Sequence, residues 1–220
     1  EYRQYMIGEV ISNLNLSKDD VKALERDSFS GVSEIYHESV SKATQRSYLL
    51  GKFTNVCIEE RKKSFLALPW PYIYTLNIDD GIEHGSEYKH VIYSNRPVDE
   101  HVFDENHCVI KLHGDISEML AYLDTQSEVF SQEQYIDSLN KNISLLKRLK
   151  HDSIFHNLLF IGCSLEDEID LLTCLNCDKD SKTITSRYFL TIKAPSALDK
   201  IKYKKYGITH CVIFDSYESM

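Results

Sequence analysis

The sequence predicts an α/β fold in which a mainly parallel sheet is flanked by helices, with an N-terminal helical layer in front of it. From Glu1 to about Leu66, apolar residues recur at three- and four-residue steps and nothing alternates as a strand would. From Trp70 onward, short apolar runs rich in β-type residues are separated by helical stretches. Several of these runs are apolar on both faces, as the buried strands of a parallel sheet are. The expected division is a helical layer over residues 1–66, or an insertion of the same domain, followed by a core over 67–220.

Taken in chain order, Ser17-Lys18-Asp19-Asp20 reads as a capping box opening a helix. Val32, Ile35 and Tyr36, followed by Val40 and Ala43, are expected on one buried face of the next. Strands are expected over Tyr72 to Ile78, His90 to Tyr93, Cys108 to Leu112, Leu158 to Gly162, Arg187 to Ile192 and His210 to Phe214. Helices are expected over Gln132 to Leu139, Ile143 to Lys150, Leu165 to Leu175 and Ala197 to Tyr206. Pro71, Pro97 and Pro195 punctuate loops or strand starts. Glu1 is not a methionine and already sits in a helical pattern, so the polypeptide is expected to extend upstream.

Composition narrows the function classes. With 42% hydrophobic and 27% charged residues the chain has the balance of an ordinary globular protein. A formal charge of -9 makes it a poor binder of nucleic acid backbone and points to a small ligand or a protein partner. The apolar runs fall far short of the roughly 20 residues a membrane-spanning helix needs, and no signal pattern opens the chain, so a cytoplasmic protein is expected. Six cysteines without regular spacing are expected to be reduced thiols. Cys174 and Cys177 form one CxxC pair with no second pair to complete a four-ligand zinc site, so no metal is expected.

In parallel α/β sheets ligands bind beyond the carboxyl ends of the strands, and three strand exits carry chemistry. After the first expected strand come Thr75-Leu76-Asn77-Ile78-Asp79-Asp80-Gly81. Asn77 offers a donor and an acceptor that can orient a water or a ribose hydroxyl. Asp79 and Asp80 suit a carboxamide or a developing cation, or simply make a turn with Gly81. After the third strand, His113 precedes Gly114, which frees the backbone to turn. An imidazole with an ordinary pKa of about 6.5 is a natural general base, although it is one of 9 histidines. After the fourth strand, Gly162-Cys163-Ser164 leads into a helix, with Ser164 as N-cap and Asp167 as its box partner. Glu166, Asp167 and Glu168 would repel a phosphate there, which favours a sugar hydroxyl at Ser164.

In this order the three exits resemble the sirtuin superfamily. Thr75-Leu76-Asn77-Ile78-Asp79 is similar to its Thr-Gln-Asn-Ile-Asp motif, His113-Gly114 to its His-Gly pair, and Gly162-Cys163-Ser164-Leu165 to its Gly-Thr-Ser-Leu ribose loop. The resemblance implies a Rossmann-like fold that takes NAD as substrate and cleaves the nicotinamide–ribose bond. It implies Asn77, His113 and Asp79 as catalytic, and Thr75, Ile78, Gly114, Gly162, Cys163 and Ser164 as NAD-binding. Two departures matter. Deacylases of the superfamily carry a zinc module of two CxxC pairs after the His-Gly motif, whereas residues 115 to 161 contain no cysteine. That stretch, with Glu128-Val129-Phe130-Ser131 and Tyr135, is similar to the zinc-free sirtuin-like domains of bacterial antiphage defence proteins, which implies NAD hydrolysis that depletes the cofactor, a homo-oligomer and a defence partner or fused sensor or ATPase domain. The family's glycine-rich phosphate loop is absent from this sequence and is expected upstream of Glu1. The alternatives are an NAD- or ADP-ribose-binding regulatory module without turnover, an NAD-dependent protein deacylase, and a purely structural or assembly role.

Overall fold

The computed structural model describes residues 2–88, 90–94, 100–105, 107–125, 142–163, 165, 169–175 and 185–216. The chain divides into two compact units, Glu1–Asn142 and Ile143–Met220.

The first unit opens with five helices: α1 (Tyr2–Asn13), α2 (Lys18–Arg26), α3 (Phe29–Ser39), α4 (Lys42–Phe53) and α5 (Glu60–Leu66). Serines start three of them, because a serine Oγ can satisfy one of the backbone N–H groups a helix start leaves open. The box at Ser17 and Asp20 forms with both reciprocal hydrogen bonds, and Ser28 and Ser41 accept from Gly31 N–H and Thr44 N–H. The core of this layer is Met6, Ile7, Val10, Leu24, Val32, Tyr36 and Val40, with Tyr2, Tyr5 and Leu16 packed against it. One expectation fails in detail. The buried stripe of α3 runs through Val32, Ser33 and Tyr36, rotated toward Ser33, which leaves Ile35 37% exposed, and Ala43 is exposed as well.

The same unit continues with β1 (Tyr72–Thr75), α6 (Gly81–Gly85), β2 (His90–Tyr93), a 3-10 helix (Glu100–Glu105), β3 (Cys108–Lys111) and α7 (Ile116–Thr125). The strands form a parallel sheet in the order β1-β3-β2. As the central strand, β3 is buried along its whole length, which fits its run Cys-Val-Ile. Leu49 of α4 packs with Ile116, Met119 and Leu123 of α7, so the helical layer shares a core with the helix that follows the third strand.

The second unit contains α8 (Ile143–Phe155), β4 (Leu158–Phe160), α9 (Ile169–Leu175), β5 (Arg187–Thr191), α10 (Ala197–Lys205) and β6 (His210–Ile213). Its sheet is also parallel, in the order β4-β5-β6. Arg187, 3% exposed, gathers the helices around it: its Nη1 donates to the carbonyls of Leu175 and Tyr206 at 2.6 and 2.7 Å, and its Nη2 to Ser153 Oγ at 3.3 Å. A capping box at Ser196 and Asp199 starts α10.

The chain is thus α/β and Rossmann-like, with parallel sheets flanked by helices and an N-terminal helical region. All six expected strands are present, each shorter at its exit or equal to expectation. The helix expected over Ile143 to Lys150 runs on to Phe155, and that expected from Leu165 is described from Ile169. The helix over Gln132 to Leu139, the cap at Ser164 and Asp167, the loop at Pro97 and Cys177 lie outside the described residues. The five described cysteines, Cys57, Cys108, Cys163, Cys174 and Cys211, are thiols. Among the described residues no helix is long and apolar enough to cross a membrane.

Candidate functional site

The parallel register places two of the predicted residues level with each other. Thr75 of β1 stands opposite Lys111 of β3, and the Leu112 N–H donates to the Thr75 carbonyl at 2.9 Å as the last rung between the strands. Asn77 and His113 each lie two residues beyond that pair. The two chains therefore leave neighbouring strands at one height, at the carboxyl edge where such sheets bind ligands.

The loop after β1 is held at nearly every residue. Buried Thr75 accepts a hydrogen bond from the Asn77 N–H through its Oγ1 at 3.0 Å, while the Asn77 residue itself is exposed. Ile78 packs against the cluster of Leu49, Ile116, Met119 and Leu123, and its carbonyl accepts from the Ile116 N–H at 2.9 Å. Half-buried Asp79 accepts from the Gly81 N–H through Oδ1 at 2.9 Å, the local turn that its position also suggests. The Asp80 carboxylate is fully engaged in structure: it accepts from the Asn55 and Val56 N–H groups at 2.7 and 2.9 Å, with His84 Nδ1 at 3.4 Å. Burial alone would raise the Asp80 pKa; these donors outweigh it and hold the carboxyl below its ordinary value. Asp80 thus anchors the loop to the end of α4.

At the end of β3, His113 and Gly114 are half-buried. Gly114 has φ +92°, a conformation that favours glycine, and a Cβ there would meet nothing closer than Glu118 Oε2 and Ser94 Oγ at 3.8 Å. Asp115 follows as the N-cap of α7, its Oδ1 accepting from the Ser117 N–H at 2.8 Å and from the Ser117 hydroxyl.

Lys111 is the residue the sequence reading passed over, as one more member of an apolar strand. It is fully buried, and its Nζ lies within hydrogen-bond reach of the Asp79 carbonyl (2.6 Å), Glu83 Oε1 (2.6 Å), the Ile78 carbonyl (3.2 Å) and Asp115 Oδ2 (3.2 Å). Burial disfavours its charge, but Glu83 and Asp115 more than offset this and raise its pKa. A lysine inserted between Ile110 and Leu112 was the available signal, since a buried ammonium requires partners. Beside this cluster lies a cleft of about 310 Å³ whose lining includes Asp80, Glu83, His84, Tyr93, Asp115 and Ser117. Its acidic wall suits neutral or cationic groups better than phosphates.

The first unit therefore brings Thr75, Asn77, Ile78 and Asp79 together with His113 and Gly114. Gly162 and Cys163 belong to the second unit, at the exit of β4; Gly162 is exposed, has φ +66° and offers open space where a Cβ would stand. Ser164 lies outside the described residues. Among the described residues no group of three or more His, Cys, Asp or Glu side chains could hold a metal ion.

The parallel α/β sheets flanked by helices place the chain in the Rossmann-like class. A family model for the SIR2-like domain matches residues 71–211, well over half of the chain, and the chain belongs to that family. The family is associated with NAD-dependent enzymatic activity and uses NAD as substrate. No curated protein matches the chain.

Proposed function

We propose that this chain is an NAD hydrolase that cleaves the nicotinamide–ribose bond. Water adds to the ribose carbon as the bond to the nicotinamide nitrogen breaks, nicotinamide leaves with the bonding electron pair, and the proton lost by water passes through His113 to solvent. The products are nicotinamide, ADP-ribose and a proton. The observation that supports this reading is the parallel register of Thr75 with Lys111, with Asn77 and His113 each two residues further on, in the exit loops of adjacent strands. An amide that orients water and an imidazole that accepts its proton are what the reaction asks for. Positive charge spreads over the ribose ring as the bond breaks, and the half-buried Asp79 carboxylate stands in the same loop as Asn77. The donor set fits NAD here: an exposed amide at Asn77, and a half-buried His113 followed by Gly114 at positive φ.

The absence of cysteine between residues 115 and 161 favours water over acyl-lysine as acceptor; the resemblance to zinc-free sirtuin-like defence domains supports a role in antiphage defence through NAD depletion, in a homo-oligomer, and we infer a cytoplasmic location. Incubating the protein with NAD and following nicotinamide tests the reading. The wild type should release nicotinamide, and His113→Ala and Asn77→Ala should each slow release by at least about 100-fold, as loss of a general base or of a positioned water does. Equal slow release by all three would remove the catalytic assignment. Stoichiometric binding of NAD without product would make the chain a regulatory module instead.

A further inference from the structure

We propose that Lys111 is a positioning residue that locks the Asn77–Asp79 loop to the His113 turn; this rests on the hydrolase reading for its consequence, though not for its geometry. The side chain starts on β3, two residues before His113, and ends on the loop after β1. Its three N–H hydrogens face four acceptors: two carbonyls on the loop, Glu83 on α6 and Asp115 at the start of α7. One ammonium thus ties the loop after β1 to α6 and to the start of α7. The Ile78 carbonyl also receives the Ile116 N–H, so the same loop is held a second time by the helix that follows His113.

Stability is a poor reason for this arrangement. Burying an ammonium between two carboxylates is costly, and replacing such a cluster by neutral side chains of similar volume is often neutral or stabilising. What a charged, directional cluster adds is a fixed position for the carbonyls of Ile78 and Asp79, and hence for the backbone that carries Asn77. The reaction depends on that position, because a misplacement of ~1 Å at a reacting centre costs on the order of 100-fold in rate.

The decisive variant removes the charges and keeps the volume: Lys111→Met with Glu83→Gln and Asp115→Asn, compared with wild type by thermal melting, amide exchange and nicotinamide release. The triple variant should melt close to wild type. Its amides from Asn77 to Gly81 should exchange ~10-fold or more faster while those of β3 stay protected, and kcat per NAD-binding site should fall ~30- to 100-fold with KM within about 3-fold. Unchanged exchange in the loop, or wild-type kcat, overturns the proposal, as does uniform loss of protection. Should the triple variant fail to fold, Lys111→Arg keeps the charge and misdirects the donors; kcat lowered ~10-fold with unchanged melting supports the proposal, and wild-type kcat overturns it. Should the wild type release no nicotinamide, the hydrolase reading falls by itself, and the exchange measurement still decides whether Lys111 holds the loop.

Discussion

The Asp80 carboxylate accepts the backbone N–H groups of Asn55 and Val56 at 2.7 and 2.9 Å, and so ties the loop after β1 to the end of the helical layer. Removing it leaves two donors without their acceptor, one of them on half-buried Val56. Asp80→Ala should lower stability by about 1–3 kcal/mol in chemical denaturation. A change within 0.3 kcal/mol would show that the tie contributes nothing.

The same carboxylate sets a pH dependence. Its folded pKa lies below the unfolded value, so its contribution is present above about pH 4 and is lost as pH falls through the lowered folded value. Melting temperatures measured from pH 5 downward should fall for the wild type and fall less steeply for Asp80→Asn. Parallel curves would contradict the assignment.

Two glycines should respond with opposite signs. Gly114 has φ +92°, so Gly114→Ala should cost about 1–2 kcal/mol through backbone strain, although its Cβ would make only ordinary contacts with Glu118 and Ser94. Gly8 lies inside α1 with nothing within 4 Å of its missing Cβ, so Gly8→Ala should stabilise by roughly 0.5–1 kcal/mol. Equal effects of the two substitutions would mean that the turn after His113 is not under conformational constraint.

The packing of the helical layer on α7 is tested at Leu49, which is 1% exposed among Ile116, Met119 and Leu123. Leu49→Ala should cost about 2–5 kcal/mol. If this layer only decorates the sheet, the loss will stay under 1 kcal/mol.

Much of this was legible because short runs rich in β-type apolar residues leave a plain mark in sequence, as at Leu158-Leu159-Phe160 and at Cys108-Val109-Ile110, although only the latter strand is buried on both faces. Helix starts were legible where a serine precedes an acidic residue at capping distance, as at Ser17. Strand order was not, since parallel strands far apart in sequence pair through tertiary packing that leaves no local signature; that β3 lies between β1 and β2 is a fact of the structure alone. Ile35 was misplaced because a helical period fixes which residues share a face, but not which way a neighbour rotates it; a buried Ser33 took its place. Asp79 and Asp80 looked alike in sequence, yet only the fold could show that Asn55 and Val56 occupy the second of them.

The central claim is that Asn77 and His113 act on one bond. Nicotinamide release by wild type, Asn77→Ala, His113→Ala and the double variant forms a thermodynamic cycle that measures it directly. Groups that work as a unit are strongly non-additive, so the double variant should be no more than about 3-fold slower than the slower single variant. A double variant slowed by the product of the two single effects would contradict the account, placing the two residues in independent roles.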